Sequence, residues 1–528
     1  MTARAESTTR TTLGDRLLTR IEILGNKLPE PFALFLYLIL ITGAVSTAMA
    51  LANVEVTVPG SDEGPIVIRG LFTGEGMVWL TTNLGANYIG FPPLQTVITI
   101  LLAVGVAEKT GMLAAVVRVC FGSAPRWFLP YVVGLVGVTG SIMADSAFIV
   151  IPPLAAMVFK AAGRHPVAGL LGGFAAVGAG YSTALVPTSL DALFAGITTG
   201  VMETLPGIET TPVNPVSNYY FNIVAALMLG AICGFIIDRI LKPRLWRQDV
   251  PTEQTGAATE DADEEEEEVR SELTSRESRA LRWALVAGAV LTVVILASVL
   301  VPGSPWRNAD GAFLPDSPLL DSVVFIVFAY FMLMGVVFGA VVGTVGGIKD
   351  VVTMMGSALT DMMSFLVLAF VLGQFIALFA WTGIGSWIAV RGADGLEGLG
   401  LTGFPAVLGF ILLASILNLF IVSGSSMWTL MGAVFVPLFA LLGLEPAFTQ
   451  AAFRVGDSAT QIITPLNPYM IVLLGLLRRY EPEAGLGTAM ARLIPFVVPF
   501  WLAWATLVGI WYFADLPLGP GNGVFLPG

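Results

Sequence analysis

Residues 453–469 read FRVGDSATQIITPLNPY and lie between long apolar runs, yet they hold Arg454, Asp457, Ser458, Thr460, Thr464, two prolines and Asn467. Insertion scales charge roughly 2.5–3.5 kcal/mol for an Asp or Arg at the bilayer centre, so such groups point to a substrate or ion pathway. Arg454 and Asp457 stand three residues apart, the helical spacing of a structural ion pair. That pairing does not exclude function, because a guanidinium can anchor an anionic substrate while tethered to a carboxylate. Asp191, in LVPTSLD, and Asp145, in GSIMADS, are the other carboxylates within apolar surroundings. For Asp145 a turn cap and an ion site both stay open.

A second polar island, NLFIVSGSSMW at 418–428, presents Asn418, Ser423, Gly424, Ser425, Ser426 and Trp428. Glycine permits close backbone approach, and the hydroxyls and amide can replace an ion's water. The Trp428 indole offers a flat apolar face to an aromatic substrate, or else an interface anchor. Pro187 and Pro465 interrupt long apolar segments and free backbone carbonyls, next to Thr188 and Ser189 in one case and Thr464 and Asn467 in the other. Unwound backbone with such side chains is how inverted-repeat transporters coordinate small cations near the midplane. Asp457, with Arg454 beside it, is expected to stay charged and bind sodium with Asn418 and the carbonyls freed at Pro465. Asp191 has no cation nearby in sequence and is expected to carry a proton. His165, the sole histidine, reads as an ordinary loop residue.

The elements that must position these groups follow from composition. The chain has 528 residues, 55% of them hydrophobic and 12% charged, with a mean hydropathy of +0.82. A soluble chain would carry roughly twice that charge. About 20 helical residues cross a bilayer, and repeated apolar runs reach that length, so the fold class is an all-α polytopic membrane protein. Two segments differ: 127–159, broken at GSIMADS, and 404–443, broken at SGSSMW, read as re-entrant hairpins. Lys and Arg gather on the cytoplasmic side when both are treated so, which gives nine transmembrane helices plus two opposed hairpins.

Opposed hairpins imply an inverted repeat. Gly140-Ser141, Pro153, His165-Pro166 and Pro187 recur in order as Gly424-Ser425, Pro437, Glu445-Pro446 and Pro465. The expected organisation is a cytoplasmic tail at 1–30, a first membrane half at 31–240, an acidic cytoplasmic linker at 241–279, a second half at 280–515 and a tail at 516–528. Much of the net charge of −12 comes from Glu264–Glu268 and its neighbours, a solvated linker rather than a nucleic-acid surface. Cys120 and Cys233 indicate neither a disulfide framework nor a metal site. No GxxxxGK[ST] occurs, so ATP drive is not expected. Substrate-sized polar sites with an arginine suit alternating access better than a channel. The VGD at 455–457 lacks the surroundings of an intramembrane protease, so no enzyme activity is expected.

Across about residues 25–515, and most specifically in SGSSMWTLMGAVFVPLF and FRVGDSATQIITPLNPY, the chain resembles the AbgT family, named for p-aminobenzoyl-glutamate uptake. The resemblance implies a homodimer of nine spans and two hairpins per protomer in the bacterial inner membrane. It also implies import of p-aminobenzoyl-glutamate or export of sulfonamide antimetabolites, with sodium and proton coupling both proposed. The family's important residues match Asp191, Asn418, Trp428, Pro446, Arg454, Asp457 and Pro465. Another small organic anion is the alternative substrate; apart from a bound sodium ion, no cofactor is expected.

Overall fold

The computed structural model describes residues 29–59, 64–248, 250–253, 273–464 and 466–527. Pro465, the acidic run and nearly all of the N-terminal tail therefore lie outside the described residues. Helices dominate; the strands Glu55–Val56 and Ile66–Val67 form one small antiparallel pair.

Among the described residues, nine helical segments are long and apolar enough to cross a membrane. They are not the nine the sequence reading expects. They include Leu129–Ala161 and Gly424–Leu441, which belong to the expected hairpins, and they omit 166–200 and 447–477, because each of those breaks into short helices. The expected span at 94–119 is also two helices, Pro92–Lys109 and Met112–Gly122, divided at left-handed Gly111. The helix Gly74–Ile89 was not anticipated; its Thr81, Thr82, Asn83 and Asn87 dilute the apolar signal.

The first expected hairpin consists of Leu129–Thr139, a 3-10 stretch Gly140–Ser146 and Ala147–Ala161. The kink sits at Ala144, with φ 47° and ψ −128°, a conformation that costs a non-glycine residue of order 1–3 kcal/mol. In the second, Phe404–Asn418 ends earlier than the sequence suggests, and helix resumes at Gly424. The break is thus 419–423, and most of SGSSMW is helix. Ser423 explains the shift, because its hydroxyl accepts from the Ser426 amide and caps the new helix.

Each of the two expected hairpins packs on a broken helix. Leu129–Thr139 and Ala147–Ala161 lie against Pro166–Ala179, Phe404–Asn418 lies against Pro446–Ala459, and Gly424–Leu441 crosses to Ser189–Met202. His165 is not an ordinary loop residue: it is fully buried ahead of Pro166, with Nε2 3.1 Å from the Val250 carbonyl and its ring edge-on to Trp246. The C-terminal tail ties the halves together, as the Phe221 amide donates to Leu518 and the Glu445 amide to Val524.

Glycine sets how closely these helices approach. A β-carbon on Gly456 would lie 2.3 Å from that of Ala414 and 2.9 Å from the Ser415 amide nitrogen. Gly456→Ala should therefore cost about 1–3 kcal/mol, seen as a lower melting temperature in detergent. Gly475→Ala, where a β-carbon meets nothing within 4 Å, is the control; identical melting of the two variants would contradict the packing argument.

Candidate functional site

Both broken helices end their first piece where polar groups converge. Pro166–Ala179 stops at Gly180, and helix resumes as Ser189–Met202. Thr188 begins that second piece with a capping box: its hydroxyl accepts from the Asp191 amide at 3.3 Å. Asp191 Oδ2 in turn accepts from the Thr188 amide and hydroxyl, each at 2.8 Å. The second broken helix runs Pro446–Ala459, then a 3-10 turn Gln461–Ile463, then Tyr469–Arg478. Thr464 Oγ1 donates to the Leu419 carbonyl at 2.9 Å and so fastens this break to the one at 419–423 beside it.

The cap leaves Asp191 Oδ1 free to face outward from its own helix. It meets Arg454 Nη2 at 2.8 Å, with the two side chains 2% and 0% exposed, and it also accepts from Asn222 Nδ2 at 2.9 Å. Arg454 further donates from Nη1 to the Ser182 carbonyl and from Nε to Asn218 Oδ1 at 3.3 Å, and its guanidinium lies 5.3 Å from the Phe194 ring centre. This corrects the expected electrostatics. The cation near Asp191 is supplied by the fold, 263 positions along the chain (454 − 191), and Arg454 forms its ion pair there rather than with Asp457. The capping box fixes Asp191 toward the facing helix, so contact between helices prevails over spacing along one.

Asp457 is the opposite case. It is fully buried, and neither carboxylate oxygen has a hydrogen-bond partner among the described residues. The first turn of Gly424–Leu441 covers it: a β-carbon on Gly424 would lie 3.5 and 3.6 Å from its oxygens and 3.1 Å from the Tyr181 ring. Asn418 lies close by, its Nδ2 held by the Asp457 carbonyl, the Gly456 carbonyl at 3.3 Å and Thr460 Oγ1 at 3.0 Å. Its Oδ1 is buried and has no partner among the described residues. Asp457 and Asn418 thus contribute three unsatisfied oxygens, a donor set suited to a hard cation.

Trp428 is fully buried, so its face is already covered by protein. It lies 4.6 Å from Phe453 and 6.3 Å from Phe194, ring centre to ring centre, and Nε1 donates to the Phe194 carbonyl at 3.2 Å and to Thr198 Oγ1 at 3.1 Å. The interface-anchor reading does not hold for a side chain with no exposed surface. Ser425 Oγ lies 3.0 Å from Ser423 Oγ at the helix start. Pro446 is the first residue of its helix, and Asn467 shapes the turn into the next, its Oδ1 accepting from the Tyr469 amide at 3.0 Å. Asp145 is exposed at its tip, where it faces the Tyr469 phenol. It caps neither adjoining helix.

Sequence reasoning missed Ser182, Phe194, Thr198, Asn218, Asn222, Gln450 and Phe453. Two signals were available: Asn218 and Asn222 fall four apart at the start of an apolar helix, and Gln450 precedes Arg454 by four. Each spacing puts two polar groups on one face.

The two aspartates should differ sharply in stability. Removing one partner of a buried ion pair costs about 3–5 kcal/mol, so Asp191→Asn should markedly lower the melting temperature in detergent. Asp457→Asn removes a carboxylate that has no partner to lose and should melt at or above the wild-type temperature. The reverse order would refute the assigned pairing.

The AbgT putative transporter family pattern matches residues 16–526. The p-aminobenzoyl-glutamate transport protein of Escherichia coli (strain K12) is 33% identical over 502 residues, which cover 95% of each chain. The YdaH transporter of Alcanivorax borkumensis superposes with a TM-score of 0.85 at 34% identity, covering 93% of this chain and 100% of that one. MtrF of Neisseria gonorrhoeae, described as illuminating a class of antimetabolite efflux pumps, does so with a TM-score of 0.86 at 33% identity, covering 96% and 100%. These relatives are named as transporters and pumps, not enzymes. With nearly the whole chain matched in both sequence and fold, this multi-pass membrane protein belongs to the AbgT putative transporter family.

Proposed function

We propose that this protein is a secondary active transporter of p-aminobenzoate-like aromatic carboxylates, p-aminobenzoyl-glutamate or sulfonamide antimetabolites, driven by a sodium or proton gradient. The observation that carries the reading is Arg454, wholly buried in a pair with Asp191 that joins the two halves beside the Trp428–Phe453 aromatic pair. A cation next to aromatic rings is what an aromatic carboxylate needs. The relatives named for p-aminobenzoyl-glutamate transport and antimetabolite efflux support the same substrate class.

The ion pair supplies a coupling mechanism. When a substrate carboxylate takes the place of Asp191 on Arg454, Asp191 is left buried without its cation. A buried carboxylate in that position is neutralised by a proton, so anion binding draws in a proton. Asp457 and Asn418, under Gly424 and Ser425, would hold sodium, with Asn467 and the backbone around Pro465 as neighbouring donors. Trp428 would stack on the substrate ring after Phe453 moves aside. Asp145 would receive ions at the first hairpin tip, and Pro446 would fix the helix start that carries Arg454.

The membrane arrangement completes the reading. The pairs at 129–161 and 404–441 act as re-entrant hairpins opening on opposite faces, within an inverted repeat. The similar packing of each pair on a broken helix supports this. The N-terminus and the 241–279 linker are cytoplasmic, the membrane is the bacterial inner membrane, and the protein is a homodimer.

Proteoliposomes loaded under separate sodium and proton gradients test the transport reading. Wild-type protein should accumulate p-aminobenzoate, its glutamate conjugate or a sulfonamide under one of them, and no saturable flux of any would defeat it. Asp457→Asn should abolish sodium-stimulated uptake; sodium stimulation that survives removes Asp457 from the ion site. Calorimetry in two buffers of different ionisation enthalpy should show proton uptake when ligand binds, and binding without it counts against the Asp191 exchange. In a background lacking Cys120 and Cys233, Thr255→Cys should label from the cytoplasm and Asn308→Cys from outside. Labelling of both from one side would overturn the topology.

A further inference from the structure

Trp428 and Arg454 lie on different helices, Gly424–Leu441 and Pro446–Ala459, and they do not touch through their polar atoms. The Gln450 side chain joins their hydrogen-bond networks. The Gln450 amide lies 2.8 Å from Thr198 Oγ1, which accepts from Trp428 Nε1, and 2.8 Å from Asn218 Oδ1, which accepts from Arg454 Nε. With the amide rotated by half a turn, its nitrogen reaches Thr198 Oγ1 at 2.8 Å and its oxygen meets Arg454 Nη2 at 3.2 Å. Gln450 links Thr198 to Arg454 in either orientation, through Asn218 in the first and by direct contact in the second. Gln450 is 1% exposed, Asn218 2% and Thr198 0%, so no solvent competes for these bonds.

We propose that Gln450, braced by Asn218, is the positioning residue that couples the aromatic and cationic parts of the substrate site. Through Thr198 it fixes the Trp428 indole, and through Asn218 it fixes the Arg454 guanidinium, so the two are offered to a ligand in one register. The inference rests on the transport reading above. When a ligand carboxylate takes the place of Asp191 on Arg454, the guanidinium is re-aimed against the amides that hold its other side. Because those amides are bonded on to Thr198, the movement also disturbs the hold on Trp428. Binding at the cation is in this way transmitted to the hairpin helix that carries the aromatic ring.

The test is a double-mutant cycle in proteoliposomes with p-aminobenzoyl-glutamate, using Gln450→Met, Thr198→Val and the pair. Gln450→Met keeps the length of the side chain and removes its hydrogen bonds. Each single change should raise KM by about tenfold with a smaller change in maximal rate, and the double variant should be no worse than the poorer single one, since both break one chain. A merely structural role would lower the amount of folded protein and the maximal rate while leaving KM in place. Unchanged KM in a wild-type-active preparation, or effects that multiply, would overturn the proposal while leaving the transport reading intact. If wild-type protein shows no flux, the transport reading fails, and the same cycle read in ligand-free melting temperatures decides the linkage. Additive shifts there would also overturn it.

Discussion

The structure turns on a buried guanidinium and carboxylate that come from opposite halves of the chain. Taking Arg454 and Asp191 out of water is costly, and the interior recovers that cost only where both charges meet each other and their remaining donors and acceptors are satisfied. Here they nearly are. Asp191 accepts from Thr188, Asn222 and Arg454, and Arg454 donates to Asp191, Ser182 and Asn218. Every one of these partners needs a break, a cap or a helix start at a particular place. The breaks in the two long apolar segments are therefore requirements of the ion pair as much as sources of free carbonyls.

The two carboxylates show how environment divides roles that sequence cannot. Asp191 is saturated by bonds to its own cap and to its cation. Asp457 has none among the described residues, though it lies three residues from Arg454 on the same helix. A side chain with no exposed surface and two unsatisfied oxygens is a high-energy arrangement, and proteins keep such arrangements where a ligand or proton relieves them. Gly424 makes it possible, because a β-carbon there would press on Tyr181 and stand against both Asp457 oxygens.

Much of this was legible in the sequence, and the limits were physical. The helical class, the paired short helices and both breaks followed from apolar length interrupted by Gly, Ser and Pro. The second hairpin break was misplaced because Ser423 was counted as turn when it is a cap. The expected spans at 166–200 and 447–477 are missing from the nine long apolar helices because each is divided into short helices, and length and hydropathy in the sequence do not distinguish a broken helix from a whole one. The Asp191–Arg454 pair was invisible, since no periodicity relates positions on different helices. The T-x-x-D of its capping box, at 188–191, was the one local clue to how Asp191 would point.

One consequence of the pairing concerns exclusivity. A guanidinium offers five donors in a fixed plane, and in Arg454 the Nη2 edge is committed to Asp191 while Nη1 and Nε serve Ser182 and Asn218. A second carboxylate that docks on these same edges has to replace one of the present partners. Replacing an amide loses a neutral contact and leaves Arg454 shared by two anions, one of which then needs a proton or a cation of its own. Replacing Asp191 leaves that carboxylate buried and uncompensated. Under the proposed transport function, either route would link the arrival of an anion at Arg454 to the uptake of positive charge nearby.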